Sequence, residues 1–159
     1  MRSIRDRELD RRPRYSYRAD AQVPAFPDDK PLIVFDGLCV LCSAFAQFVA
    51  KRDPSGHFRF TAAQSKLGQA LYRHYGFDPD QPETSLLIDE GRLFGKSKAL
   101  AKILGRLSGP WRCGWLVLAL PRPARDWVYD RIARSRYRVF GRRSACVRPD
   151  GSWRTRVVE

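Results

Sequence analysis

The sequence predicts a small α/β domain, a mixed sheet covered by helices, with a helical extension at its C-terminal end. Three observations carry that expectation. Short apolar or alternating runs are separated by stretches with helical spacing, in the order strand, helix, strand, helix, strand, strand, helix. The first strand candidate, "LIVF" (Leu32 to Phe35), is continuously apolar, as befits a strand covered on both faces. The pair "TSLLID" and "RLFG", joined by Glu90-Gly91, reads as an antiparallel hairpin, whereas a helix between the first two strands calls for a parallel, right-handed crossover. With 159 residues, 43% of them hydrophobic, the chain suits one domain with a core that needs no disulfides.

Residues 1 to 30 are polar and basic, with weak periodicity, and close on the proline-rich "VPAFPDDKP"; they are expected to be a disordered or extended arm. The domain is expected over residues 31 to 149. After "LIVF", Asp36-Gly37 breaks the strand. "CVLCSAFAQFVAKRD" then places Leu41, Phe45, Phe48 and Val49 on one helix face, with Lys51 and Arg52 in the last turn and Asp53-Pro54 as the stop. "HFRFT" (His57 to Thr61) alternates as a second strand. "QSKLGQALYRHYGF" reads as a helix with Leu67, Leu71 and Tyr75 inward and Gly76 at its C-terminal end. The hairpin follows, then a helix from Ser97, read as its N-cap, to Leu107. This element order is that of thioredoxin-like domains. Beyond it lie the apolar "WRCGWLVLAL" and a long amphipathic helix, "ARDWVYDRIARSRYRVF", with Val128, Tyr129, Ile132, Ala133, Tyr137 and Phe140 at three- and four-residue steps. Gly141 ends it, and residues 150 to 159 are a basic tail.

The N-terminus lacks the apolar centre of a secretory signal, and Asp6, Glu8, Asp10 and Asp20 argue against a transit peptide. The strongest apolar stretch, Trp115 to Leu120, falls far short of the ~20 residues that span a bilayer. The expectation is a soluble, cytoplasmic protein without a transmembrane segment, in a reducing compartment where a disulfide is catalytic or transient. The net charge of +13 reflects arginine above all. It either records an arginine-rich composition or favours an anionic partner such as nucleic acid, anionic lipid or an acidic protein.

Cys39-Val40-Leu41-Cys42 is the centre of interest, because the pair stands where a strand gives way to a helix. Cys39 falls at the helix N-cap, where unpaired amides and the positive end of the dipole favour a thiolate. Cys42 lies one turn further on the same side, placed to attack a mixed disulfide formed at Cys39. Three readings fit the pair. The first is a redox dithiol, with Cys39 attacking from an accessible position and Cys42 resolving. The second is half of a metal site, though the other candidates (Cys113, Cys146, His57 and His74) are isolated. The third is two idle core thiols. The dithiol reading is favoured, and it calls for no cofactor and no metal. Asp36 could serve as a general base toward Cys42 or cap the backbone at Leu38 or Cys39, with capping favoured. Gly37 is expected to supply a positive φ or a close backbone approach.

The stretch "VFDGLCVLCSAF" resembles the D-G-x-C-x-x-C signature of the DCC family of thiol-disulfide oxidoreductases. "GKSKALAKILGRL" is similar to that family's stretch after the hairpin, and "PRPARDWVYDRIARSRYRVFGRRSAC" to its C-terminal block, over roughly Pro31 to Pro149. The resemblance implies a thioredoxin-like fold and a dithiol site at Cys39 and Cys42, with Asp36 in the signature, acting on a thiol or disulfide substrate such as a protein. It departs from ordinary thioredoxins in lacking a proline directly before the third strand, where Thr84 or Ser85 stands instead.

Among secondary features, Cys146 reads as a buried thiol or as a third redox cysteine whose arginine neighbours favour the thiolate. Cys113 reads as core, and His57 and His74 as structural. In the last helix the aromatics are expected to pack inward and the arginines to be solvated. The rival functional class is a binding module whose basic surface engages nucleic acid or another anion while the thiols stay idle; binding that falls steeply with salt would mark it. A membrane-surface role for "GWLVLALPRP" is a lesser alternative.

Overall fold

A computed structural model describes residues 12–82, 84–146 and 151–159. Its centre is a four-stranded sheet of β1 (Leu32–Phe35), β2 (Arg59–Ala62), β3 (Leu86–Asp89) and β4 (Arg92–Gly95), in the order β2-β1-β3-β4. β1 runs parallel to β2 and antiparallel to β3, so that Ile33 faces Phe60 on one side and Leu87 on the other. The hairpin between β3 and β4 turns through Glu90 and Gly91, both with positive φ, the geometry of a tight two-residue connection. The fold is thioredoxin-like, as the element order predicts.

Helices α1 (Val40–Arg52), α2 (Lys66–His74), α3 (Lys96–Gly105) and α4 (Arg122–Phe140) surround the sheet. Alternation along β1 divides the core in two. Ile33 and Phe35 point to the side where Ala46, Val49 and Ala50 of α1 meet Ala99 and Ile103 of α3. Leu32 and Val34 point to the other, against Leu67 and Leu71 of α2. All four β1 residues are buried, which is why this strand carries no polar side chain.

Several boundaries differ from the sequence expectation, each for a local reason. β2 begins at Arg59 because the amides of His57 and Phe58 are taken by the Asp53 carboxylate at 3.0 and 2.9 Å. α3 starts at Lys96 with Gly95 as its cap; Ser97 is buried and donates its hydroxyl to Asp126 instead. All of "WRCGWLVLAL" but its last residue lies within a 3-10 helix, Gly109–Ala119, with Cys113 exposed rather than in the core. Residues 12–30 lie against the domain: Tyr17 is buried and donates to Asp28, which also pairs with Arg18, while His74 bridges Asp20 and Ser16. The first eleven residues of the expected arm lie outside the described residues.

The C-terminal residues pack as well. Trp153 is 3% exposed between Phe35 and Phe60, the Val158 amide donates to Phe60 O at 2.8 Å, and Arg156 reaches the Asp53 carboxylate at 3.2 Å. A stretch read as a basic tail thus closes one core cluster. Its tryptophan supplies a large apolar surface to bury and its Arg156 is paired with Asp53, so the charges do not hold the stretch in solvent.

Candidate functional site

The end of β1 and the start of α1 form the site. Asp36 and Gly37 carry the chain out of the sheet, and Cys39 is the N-cap of α1, extended at φ −80° and ψ 121°. Its Sγ accepts the Cys42 amide at 3.2 Å, the interaction a serine or aspartate makes at this position in other helices. Cys42 lies one turn along, and each sulfur acts on the ionisation of the other. All four cysteines of the chain are free thiols.

This arrangement separates the two sulfurs chemically. The Cys39 thiol is drawn down to about 7, first by the hydrogen bond from Cys42 and then by the Cys42 amide and the Arg136 charge, against the opposing effects of burial and Asp36. Cys42 is pushed far up, because the Cys39 sulfur, burial and Asp36 all oppose its ionisation. As pH rises through about 7 the pair therefore comes to hold one negative charge, on Cys39, and one proton, on Cys42.

Access is arranged the other way round from the sequence expectation. Just past α4 the chain turns at Gly141 and lays residues 141–143 across the mouth of α1. The Arg143 amide donates to Leu38 O at 2.8 Å, and Arg142 pairs with Cys39 as an antiparallel bridge. Under this strap Cys39 has no exposed surface, whereas Cys42 is partly exposed. Cys42 lines a cleft of about 280 Å³ together with Leu41, Phe45, Ser85, Leu86 and Ile132. Of the two residues standing before the third strand, Ser85 faces this cleft; Thr84 is buried and shares a hydrogen bond with Tyr129 at 3.0 Å.

Asp36 is 2% exposed and fully engaged. One carboxylate oxygen accepts from the Leu38 amide at 3.0 Å and from Gln64 Nε2 at 2.8 Å. The other accepts from the Tyr137 hydroxyl and pairs with Arg136 at 3.5 Å. None of these bonds reaches a sulfur. Arg136 also donates to the carbonyl of Pro82, tying the loop before β3 to α4. Gly37 has no positive φ; it is needed for close approach, since a Cβ there would stand 2.7 Å from Cys146 Sγ. Cys146 also contacts Gln64 Oε1 at 3.5 Å. Its thiol is pushed up by burial and by Asp36, which agrees with the buried-thiol reading and not with the alternative of a thiolate favoured by its arginine neighbours.

Arg136 and Gln64 were not singled out from the sequence, and Tyr137 only as an inward residue of the last helix. Arg136 carried a signal all the same: it stands three residues after Ala133 and seven after Tyr129, on the inward stripe, where an arginine is out of place unless paired. Gln64 carried none. Among the described residues, no three His, Cys, Asp or Glu side chains converge in a way that could hold a metal ion.

Residues 33–142 match the family model of the DCC1-like thiol-disulfide oxidoreductases. The chain belongs to that family. The matched residues run from Ile33 in β1 to Arg142 in the strap and so span the dithiol, Asp36 and Arg136. Among curated proteins, the chain is 41% identical over 127 residues to the uncharacterized protein YuxK of Bacillus subtilis, covering 80% of this chain and 93% of that one. It is 33% identical over 120 residues to a chloroplastic DCC family protein of Arabidopsis thaliana, covering 75% and 70%. No solved structure matches the chain. No helix among the described residues is long and apolar enough to cross a membrane.

Proposed function

We propose that this DCC1-like protein exchanges electrons with thiol or disulfide substrates through a reversible Cys39–Cys42 disulfide. The observation that carries the reading is the asymmetry of the pair: the Cys39 sulfur accepts the Cys42 amide at 3.2 Å and is drawn down to about 7, while Cys42, one helical turn on, is pushed far up. In the reductive direction the Cys39 thiolate attacks one sulfur of the substrate disulfide, and the other leaves as a thiolate that takes up a proton. Cys42 then loses its proton and attacks the Cys39 sulfur. The Cys39–Cys42 bond forms, the mixed disulfide breaks, and the second substrate thiol departs. The substrate gains two electrons from the pair and two protons, one from Cys42 and one from solvent. Oxidation of a dithiol substrate is the same sequence reversed.

Once Cys39 carries a substrate sulfur it is no longer an anion, so the main cause raising the Cys42 pKa disappears at the step where Cys42 must ionise. Asp36 supports the site by capping Leu38 and by holding Arg136 and Tyr137, which fits the capping role better than proton transfer. For Cys39 to attack, the strap at residues 141–143 must part from it.

The exposure of Cys42 to the cleft favours a second order of events, in which the substrate meets Cys42 first and Cys39 resolves. Trapping separates the two. The protein is incubated with a disulfide substrate and the adducts are mapped by mass spectrometry. With Cys39 attacking, Cys42→Ser accumulates the mixed disulfide; with the roles exchanged, Cys39→Ser does. Failure of both variants to form an adduct, with no Cys39–Cys42 disulfide in the parent across a glutathione redox series, overturns the exchange reading itself.

A further inference from the structure

The 3-10 helix at Gly109–Ala119 and the outer side of α4 leave large apolar side chains in solvent. Trp115 is 57% exposed, Leu120 56%, Trp127 65% and Val139 65%. These are not scattered residues. Arg125 Nη1 donates to Leu118 O at 3.3 Å, which ties the 3-10 segment to the first turns of α4. On α4 itself, Val128, Ile132 and Val139 repeat at four and seven residues, and beside them Trp127, Arg131, Arg134 and Arg138 form a second stripe. The sequence pattern placed Val128, Ile132 and Phe140 inward with the tyrosines. Tyr129, Ala133 and Tyr137 of that stripe, with Arg136 beside them, turn toward the body of the protein; Val128, Ile132 and Phe140 are 46–49% exposed.

Charge decides what such a face fits. Residues 109–146 contain nine arginines, no lysine and two acidic residues, Asp126 and Asp130. Both aspartates are engaged, Asp126 by Ser97 and Arg122, Asp130 by Lys96 at 2.9 Å. The face is therefore apolar and cationic, with no free carboxylate. A second copy of the chain would bring the same arginines against these, which opposes a self-paired interface. Trp115 and Trp127 could stack on bases, but the exposed aliphatic side chains among them, Leu116, Leu120, Val128, Ile132 and Val139, have no partner on a nucleic acid. A bilayer with anionic headgroups satisfies both components. Tryptophan seats at the interface, leucine and valine enter the acyl boundary, and arginine lies its stem along the apolar surface while its head meets phosphate. With no helix among the described residues able to cross a membrane, the segment would lie on the surface.

We infer that the 109–140 face docks this protein on anionic lipid membranes. Ile132 belongs both to this face and to the cleft holding Cys42. A docked protein would thus present its cleft at the membrane surface. This corollary, that its disulfide substrates reside there, rests on the proposed exchange function; the docking does not.

Co-sedimentation of the full chain with vesicles tests it, using phosphatidylcholine mixed with phosphatidylglycerol against phosphatidylcholine alone. The expected result is binding to the mixed vesicles with a blue shift of tryptophan emission, and little binding to the neutral ones. The triple variant Arg131→Gln, Arg134→Gln, Arg138→Gln should lose on the order of 100-fold in affinity, about fivefold per arginine. Trp127→Ser should weaken binding too. Cys39→Ser with Cys42→Ser should bind as the parent does, which keeps this test independent of the redox chemistry. All these positions on α4 are exposed, so thermal melting should match the parent. Absence of binding to the mixed vesicles overturns the inference. So does binding that ignores Trp127→Ser, which would make it charge alone, or sedimentation equilibrium showing a dimer that Trp127→Ser dissociates.

Discussion

Replacing Arg136 by methionine probes the charged cluster on which the site is built. Its guanidinium stands 3.5 Å from the Asp36 carboxylate, with the two side chains 6% and 3% exposed. At that separation and an effective dielectric near 20, the attraction is about 5 kcal/mol. Removing one member of such a buried pair costs about 3–5 kcal/mol, because the carboxylate left behind cannot be rehydrated. The Leu38 amide, Gln64 and Tyr137 still hold Asp36, so the lower part of that range is expected. With a urea slope of about 2 kcal/mol per M, the unfolding midpoint should fall by roughly 1.5–2 M.

The same variant removes a positive charge that helps ionise Cys39, so the midpoint of Cys39 alkylation should move upward from about 7. Asp36→Asn combined with Arg136→Met removes both charges and should recover a large part of the lost stability. Urea unfolding followed by tryptophan fluorescence, paired with alkylation across pH, reads both effects. The reasoning fails if Arg136→Met unfolds within about 0.5 kcal/mol of the parent, a range typical of surface substitutions, or if the double variant is no more stable than the single one.

Three further outcomes are expected. Cys39 has a folded pKa near 7, below its ordinary 9.0; its stabilising effect is present above the unfolded value and lost as pH falls through about 7. The stability advantage of the parent over Cys39→Ser should therefore grow from pH 7 to 9 in urea titrations, and a flat difference would contradict it. Gly37→Ala should destabilise by about 1–3 kcal/mol, because its Cβ would meet Cys146 Sγ at 2.7 Å, and Cys146→Ala should relieve most of that penalty. Trp153→Ala should cost about 3–5 kcal/mol in the same assay, whereas a mobile tail would make it silent.

Strands, hairpin and main helices were legible because each is set by local pattern. "LIVF" could only be a central strand, and Glu90-Gly91 only a tight turn. The position of Cys39 at the helix mouth followed from the same logic. What could not be read depends on contacts across long sequence separations. Arg136 meets Asp36 a hundred residues away, and the strap that covers Cys39 belongs to residues 141–143. Burial of Cys39 was therefore invisible, since the chain near the motif shows only an N-cap. Trp153 illustrates the same limit: a lone tryptophan among arginines has no periodicity to assign it to a core. The outer face of α4 was misjudged for another reason. Helical spacing identifies a stripe, but α4 is long and amphipathic on two arcs, and only packing decides which arc turns inward.

The rate of Cys39 alkylation as a function of pH, with each cysteine resolved by mass spectrometry, tests the central claim most directly. A thiolate at Cys39 titrating near 7, moving upward when Cys42 is replaced by serine, with Cys42 itself unreactive until far higher pH, is the predicted result. A Cys39 midpoint at or above the ordinary thiol value, unmoved by Cys42→Ser, would contradict it.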